Sequence, residues 1–233
     1  MSTLRRTARF GGILYLIIIV FGIFAQILVL QRLFSYHDPL ATAENIISRE
    51  FLYRFGFTAH IIMLICALIL MQIFYTLFRD INRSIARLMV LFNLISIGIE
   101  SVSILFQYIP LLLLKGDHLS PLEPAQLKSL AYVAIPLFSA GYDLALLFFG
   151  VFCILTGYLI IKSLLVPHIF GYLMITGGIA YMVNSFTHFL VPHMTSYLYP
   201  YILIFPFAGE FSLCIWLIYK GIKGQKKVKG FRT

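Results

Sequence analysis

A chain of 233 residues, 61% hydrophobic and only 12% charged, carries more apolar surface than a soluble fold of that length can bury, so its solvent is the lipid bilayer. In a membrane protein a net charge of +9 belongs to loops and tails facing the cytoplasm, which argues against nucleic acid as a partner. Cys66, Cys153 and Cys214 lie in apolar runs without a CxxC pair and read as buried free thiols rather than disulfides or a zinc site.

A membrane-crossing helix needs about 20 apolar residues. The first such run is Phe10–Leu30, behind the basic start MSTLRRTARF. It is longer than the apolar core of a signal peptide and no A-x-A cleavage site follows, so it reads as a retained span. In the outer loop from Gln31 to Arg54, Asp38-Pro39 is an N-cap and first-turn pair for a short helix through Ala41–Ser48. The second span is Phe55–Phe78, followed by the basic turn RDINRS, and the third is Leu88–Pro110. An outer segment, Leu111–Phe138, holds Ser120-Pro121-Leu122-Glu123 in the pattern of a capping box. The helix starting there runs along the membrane surface or straight into the fourth span, Ser139–Ile161, and Pro136 is expected to bend or break it. Lys162 to Pro167 turns inside, His168–Leu190 is the fifth span, Pro192 to Tyr197 turns outside, and Pro200–Tyr219 is the sixth. The basic tail KGIKGQKKVKGFRT follows.

The expectation is an all-α, polytopic six-helix transmembrane bundle forming a single domain over 1–233. Only Arg32, Arg49, Arg54, Lys115 and Lys128 of the 18 basic residues fall outside, which places both termini in the cytoplasm. Residues 11–22 and 171–184 look loosely alike, too weakly to define a transporter-like repeat.

Polar residues inside the spans carry the functional signal. Asn184 and His188 are four residues apart in the fifth span, with Tyr181 on the same stripe. His60 lies in the second span, Glu100 in the third, Asp143 in the fourth and Glu210 near the middle of the sixth. In this topology all of them fall in the outer half of the membrane. An ionised carboxylate at mid-membrane costs about 3 kcal/mol on insertion scales, so Glu210 and Glu100 call for a partner, a proton, a metal or a wet cavity. The blander alternative for each is a hydrogen bond that joins helices. For Asp143 a place near a helix N-terminus suffices, and Arg54 either snorkels to headgroups or reaches an acid. Gly171, Gly177 and Gly178 read as close helix packing. The sequence holds no phosphate loop, dinucleotide fingerprint, HExxH or GxSxG.

Several stretches together resemble a family of bacterial membrane proteins known as domain of unknown function 4386. They are ARFGGILYLIIIVFGIFA, DPLATAENIISREFLYRFGF, LFRDINRSIARLMVLFNL, LLFFGVFCILTGYLIIKSLLVPHIFGYLMITGGIAYMVNSF and GEFSLCIWLIYKG, in that order along nearly the whole chain. The resemblance implies a multi-span integral protein of the cell membrane and brings no substrate or reaction with it. Within it, Glu210 and Asn184 match family-type positions, whereas Glu100 and His188 are particular to this chain and relatives often carry an acid where His60 stands.

Three functions follow from the residues. The first is binding or transport of a small polar or amphipathic ligand in an outward-facing intramembrane pocket lined by Glu210, His188, Asn184, Glu100, Asp143, His60 and Tyr181. The second is an intramembrane enzyme acting on lipid-like substrates, using these acids and histidines as a metal site or an acid/base pair. The third is an assembly protein in which they only hold helices together. The bilayer is the one partner the composition demands. The pattern designates no cofactor and no oligomeric state.

Overall fold

A computed structural model describes residues 3–35, 38–115 and 122–221. Every regular element among them is helical. Six helices are long and apolar enough to cross a membrane: Leu4–Leu33, Glu50–Phe78, Arg83–Lys115, Pro124–Lys162, His168–Leu190 and Tyr201–Tyr219.

The first crossing is built from α1 (Thr3–Ile23), a π-helical stretch (Phe24–Leu30) and α2 (Gln31–Leu33). In the π stretch the Gln31 N–H donates to the Gln26 carbonyl, one residue beyond the α-helical partner, which widens the turn around Gln26. The short outer helix α3 (Pro39–Ser48) starts as expected. Asp38 Oδ1 accepts from the Ala41 N–H at 2.9 Å, and Pro39 occupies a first-turn position where no amide is needed. Thr42 Oγ1 exchanges hydrogen bonds with the Ser35 backbone, and Asn45 Nδ2 donates to the Leu33 carbonyl, so α3 is tied back to α2.

The second crossing, α4 (Glu50–Phe78), begins a turn and a half earlier than the apolar run alone suggests. Glu50 lies 2.8 Å from Arg54 and 2.8 Å from Lys115, and these pairs support a helical first turn that hydrophobicity does not register. Arg54 thus reaches an acid of its own helix. The next helix, α5 (Arg83–Lys115), is capped by Asn82, whose Oδ1 accepts from the Ile85 N–H at 3.0 Å.

The segment expected as an outer connection is largely helix. Helix α5 continues past Pro110 to Lys115, and α6 (Pro124–Lys162) is one helix through the whole fourth span. Pro136 does not end it. In an apolar surround a broken helix would leave several backbone groups without water or partners, whereas one proline forfeits a single hydrogen bond. The Ser120-Pro121 part of the expected capping box lies outside the described residues. The described start shows half of such a box, one turn later: Gln126 Oε1 accepts from the Glu123 N–H, ahead of Pro124. Helix α7 (His168–Leu190) has the bounds read from the sequence. The expected outer turn after it is a short helix, α8 (Pro192–Leu198), opened by its proline. A 3-10 turn (Tyr201–Leu203) leads into α9 (Ile204–Tyr219).

The chain forms two compact units. Unit 1 comprises Met1–Leu16, Leu68–Leu94 and Leu146–Thr233, within the described residues. Its α6–α7 contact is set by glycine. A Cβ on Gly150 would fall against the Gly178 carbonyl, and one on Gly178 against the Gly150 carbonyl. Gly157 and Gly171 repeat the arrangement two turns away, so the two backbones touch along this seam. Unit 2 comprises Ile17–Ala67 and Ile95–Ala145. Its core gathers Val29, Leu33, Ile46, Tyr53, Leu64, Ile97, Ile104, Leu111 and Phe138.

Candidate functional site

In unit 2, α4 and α5 run antiparallel along a polar seam. The Tyr53 hydroxyl donates to the Gln107 carbonyl, and His60 Nε2 lies 2.8 Å from Glu100 Oε1. Tyr53 and His60 are seven residues apart on α4, as Glu100 and Gln107 are on α5. Seven residues are close to two turns, so each pair repeats on the same helix face about 10.5 Å further along.

The His60 imidazole is only 1% exposed, while Glu100 keeps 14%. The rings of Phe138 and Tyr142, both from α6, stand edge-on to the imidazole at 6.1 and 6.4 Å. Glu100 therefore fixes one ring nitrogen and the aromatic walls fix the ring plane. The other nitrogen, Nδ1, is buried without a hydrogen-bond partner among the described residues. So are Nε2 and Oε1 of Gln107, a side chain 2% exposed. A buried polar atom without a partner costs roughly 1–3 kcal/mol, so the seam carries that cost at His60 and Gln107. Ser96 and Ser103, on the stripe around Glu100, are already satisfied: their hydroxyls donate to the Ala145 and Ile99 carbonyls at 2.8 Å each. Asp143 is half-buried on α6, directly after Tyr142.

In unit 1 the Tyr181 hydroxyl of α7 donates to Glu210 Oε1 of α9 at 2.7 Å. Tyr15 of α1 and Cys153 of α6 bear on the same carboxyl through space. Glu210 is 8% exposed, and among the described residues no lysine or arginine pairs with it. Asn184 is buried on α7, one turn from Tyr181, and His188 is half-buried against the ring of Phe189.

The structure thus joins His60 with Glu100 and Tyr181 with Glu210, each pair inside its own unit. Among the described residues no three His, Cys, Asp or Glu side chains gather as a metal-binding group. Gln107 and Tyr53 are not among the residues singled out from the sequence, although a glutamine in an apolar run is a visible signal. Tyr53 and Tyr15 carry no such signal, because tyrosine is common at membrane boundaries.

Six apolar helices with ionisable side chains enclosed in helix contacts define a multi-pass integral membrane protein. Residues 10–221 match the family described as Domain of unknown function (DUF4386), and the chain belongs to that family. No curated protein and no solved structure matches it.

Proposed function

We propose that the protein binds a small polar or amphipathic ligand within the membrane, as a receptor or carrier, and that His60 is the anchoring group. The observation that carries this reading is the buried, unpartnered Nδ1 of an imidazole whose other nitrogen is held by Glu100. A carboxylate on one ring nitrogen favours the tautomer that leaves the second nitrogen as an acceptor. The ligand then presents an O–H or N–H to His60 Nδ1, between the faces set by Phe138 and Tyr142. The basic-residue bias places this end of α4 toward the outside, so the ligand enters from there.

A melting screen of the purified full chain tests the assignment. Wild type, His60→Ala and Glu100→Gln are heated with a panel of small polar and amphipathic solutes. The expected result is a set of solutes that raise the wild-type melting temperature and have no effect on His60→Ala, since a ligand that binds only the folded state stabilises it. Glu100→Gln is expected to weaken the same solutes without abolishing them. A panel in which every stabilising solute acts equally on His60→Ala overturns the role of His60.

The opposite case is the Tyr181–Glu210 pair, whose hydrogen bond joins α7 to α9. That geometry favours a helix-joining role for Glu210, as small polar groups commonly play in membranes.

A further inference from the structure

A different surface, independent of the His60 reading, lies in unit 1 at the end of the last crossing. A groove of about 520 Å³ is lined by Phe170 of α7 and by Phe211, Ser212, Ile215, Trp216, Tyr219 and Lys220 along α9. Apart from Ser212, its walls are apolar and aromatic until its last residue, Lys220, which is exposed. No acid is among the lining residues.

The same end of α9 is bound by two cations of α1. Arg5 Nε donates to the Lys220 carbonyl at 3.2 Å, and an Arg9 terminal nitrogen donates to the Tyr219 carbonyl at 3.0 Å. These bonds satisfy carbonyls that a helix end leaves open and place positive charge at the negative pole of the helix. The chain then turns at Gly221, whose φ of 64° is easily reached only without a Cβ. An apolar trough therefore ends at Lys220, in a stretch whose carbonyls are held by Arg5 and Arg9.

We infer that this groove holds one acyl chain of an anionic phospholipid, with the phosphate at Lys220. An acyl chain matches the apolar lining, and the Lys220 ammonium favours a headgroup of net negative charge over a zwitterionic one. Basic groups between helices at the membrane boundary are the recurring form of such sites, and each contributes about a fivefold preference for an anionic surface.

Native mass spectrometry of the delipidated full chain, titrated with dioleoyl phosphatidylglycerol or dioleoyl phosphatidylcholine, tests the site. Three proteins are compared: wild type, Lys220→Gln, which keeps the carbonyl that Arg5 uses, and Ile215→Trp, which fills the groove. Wild type is expected to retain phosphatidylglycerol about fivefold more strongly than phosphatidylcholine. Lys220→Gln removes most of that preference, and Ile215→Trp lowers retention of both lipids. Equal retention of the two lipids by wild type overturns the proposal, as does a preference that survives Lys220→Gln. Full phosphatidylglycerol retention by Ile215→Trp overturns it too, by assigning the binding to charge outside the groove. Melting curves of the two variants, expected to match wild type without lipid, separate loss of the site from loss of the fold.

Discussion

The Tyr181–Glu210 bond shows how a buried acid behaves when its partner is a neutral hydroxyl on another helix. Removing the hydroxyl leaves the carboxyl short of a donor, a penalty that does not arise once the carboxyl is gone as well. Tyr181→Phe is therefore expected to cost about 1 kcal/mol, in the range measured for interhelical hydrogen bonds in membranes. Tyr181→Phe combined with Glu210→Leu is expected to cost less than the sum of the two single changes. Reversible unfolding of the four proteins of this double-mutant cycle checks it, and strict additivity removes the pair as a unit. The stripe of Tyr181, Asn184 and His188 was legible in the sequence because helical spacing says which side chains share a face. Spacing does not say which neighbouring face they meet. Glu210 meets Tyr181 through the α7–α9 contact, and that contact has no signature in either helix alone. His60 shows the same limit. A lone histidine in an apolar run looks structural, and only its pairing with Glu100, forty residues away, reveals a second nitrogen with no partner.

At the scale of elements, the fifth span could be bounded from sequence because Pro167 stops chain on one side and Pro192 on the other. The 111–138 segment could not. Its prolines and polar residues argue for breaks, whereas the cost of exposed backbone in an apolar medium favours helix on both sides of it. The glycines of the fifth span were legible as packing residues, but their partners were not. Gly178 meets Gly150 and Gly171 meets Gly157, a seven-residue spacing repeated on two antiparallel helices. The close contact is between backbone atoms, so no side-chain rotation relieves an added methyl. Gly178→Ala is expected to destabilise the protein by about 1–3 kcal/mol, the usual range for overpacking. Gly98, where an added Cβ meets nothing within 4 Å, is the matched control: Gly98→Ala leaves stability unchanged or slightly raised. Thermal unfolding of both variants in one detergent makes the comparison, and equal melting temperatures mean that the glycine seam does not hold α6 to α7.

For the whole molecule, the positions of the two chain ends constrain how the protein is threaded through the membrane. Arg5, at the start of the first crossing, bonds the Lys220 carbonyl at the end of the sixth. Helix ends in contact within unit 1 emerge at the same membrane face, and an even number of crossings requires the same. Charge then selects the face. Arg5, Arg6 and Arg9 precede the first crossing, Arg79, Arg83 and Arg87 flank the turn between the second and third, and the tail after Tyr219 is rich in lysine. All of these fall on one side of a six-span chain, and from the positive-inside rule we propose that this side is the cytoplasm. A fluorescent protein that matures only in the cytoplasm, fused after Thr233, is expected to be bright, and alkaline phosphatase at the same point inactive. Inserted into the α8 segment, between the fifth and sixth crossings, phosphatase is expected to be active. An active phosphatase at the C-terminus reverses the orientation and turns the His60 end of α4 toward the cytoplasm. The lipid groove of α9 then faces the outer leaflet, which has few anionic lipids to offer in a plasma membrane. The fusion result thus decides from which side the His60 site is reached and which leaflet supplies the lipid at Lys220.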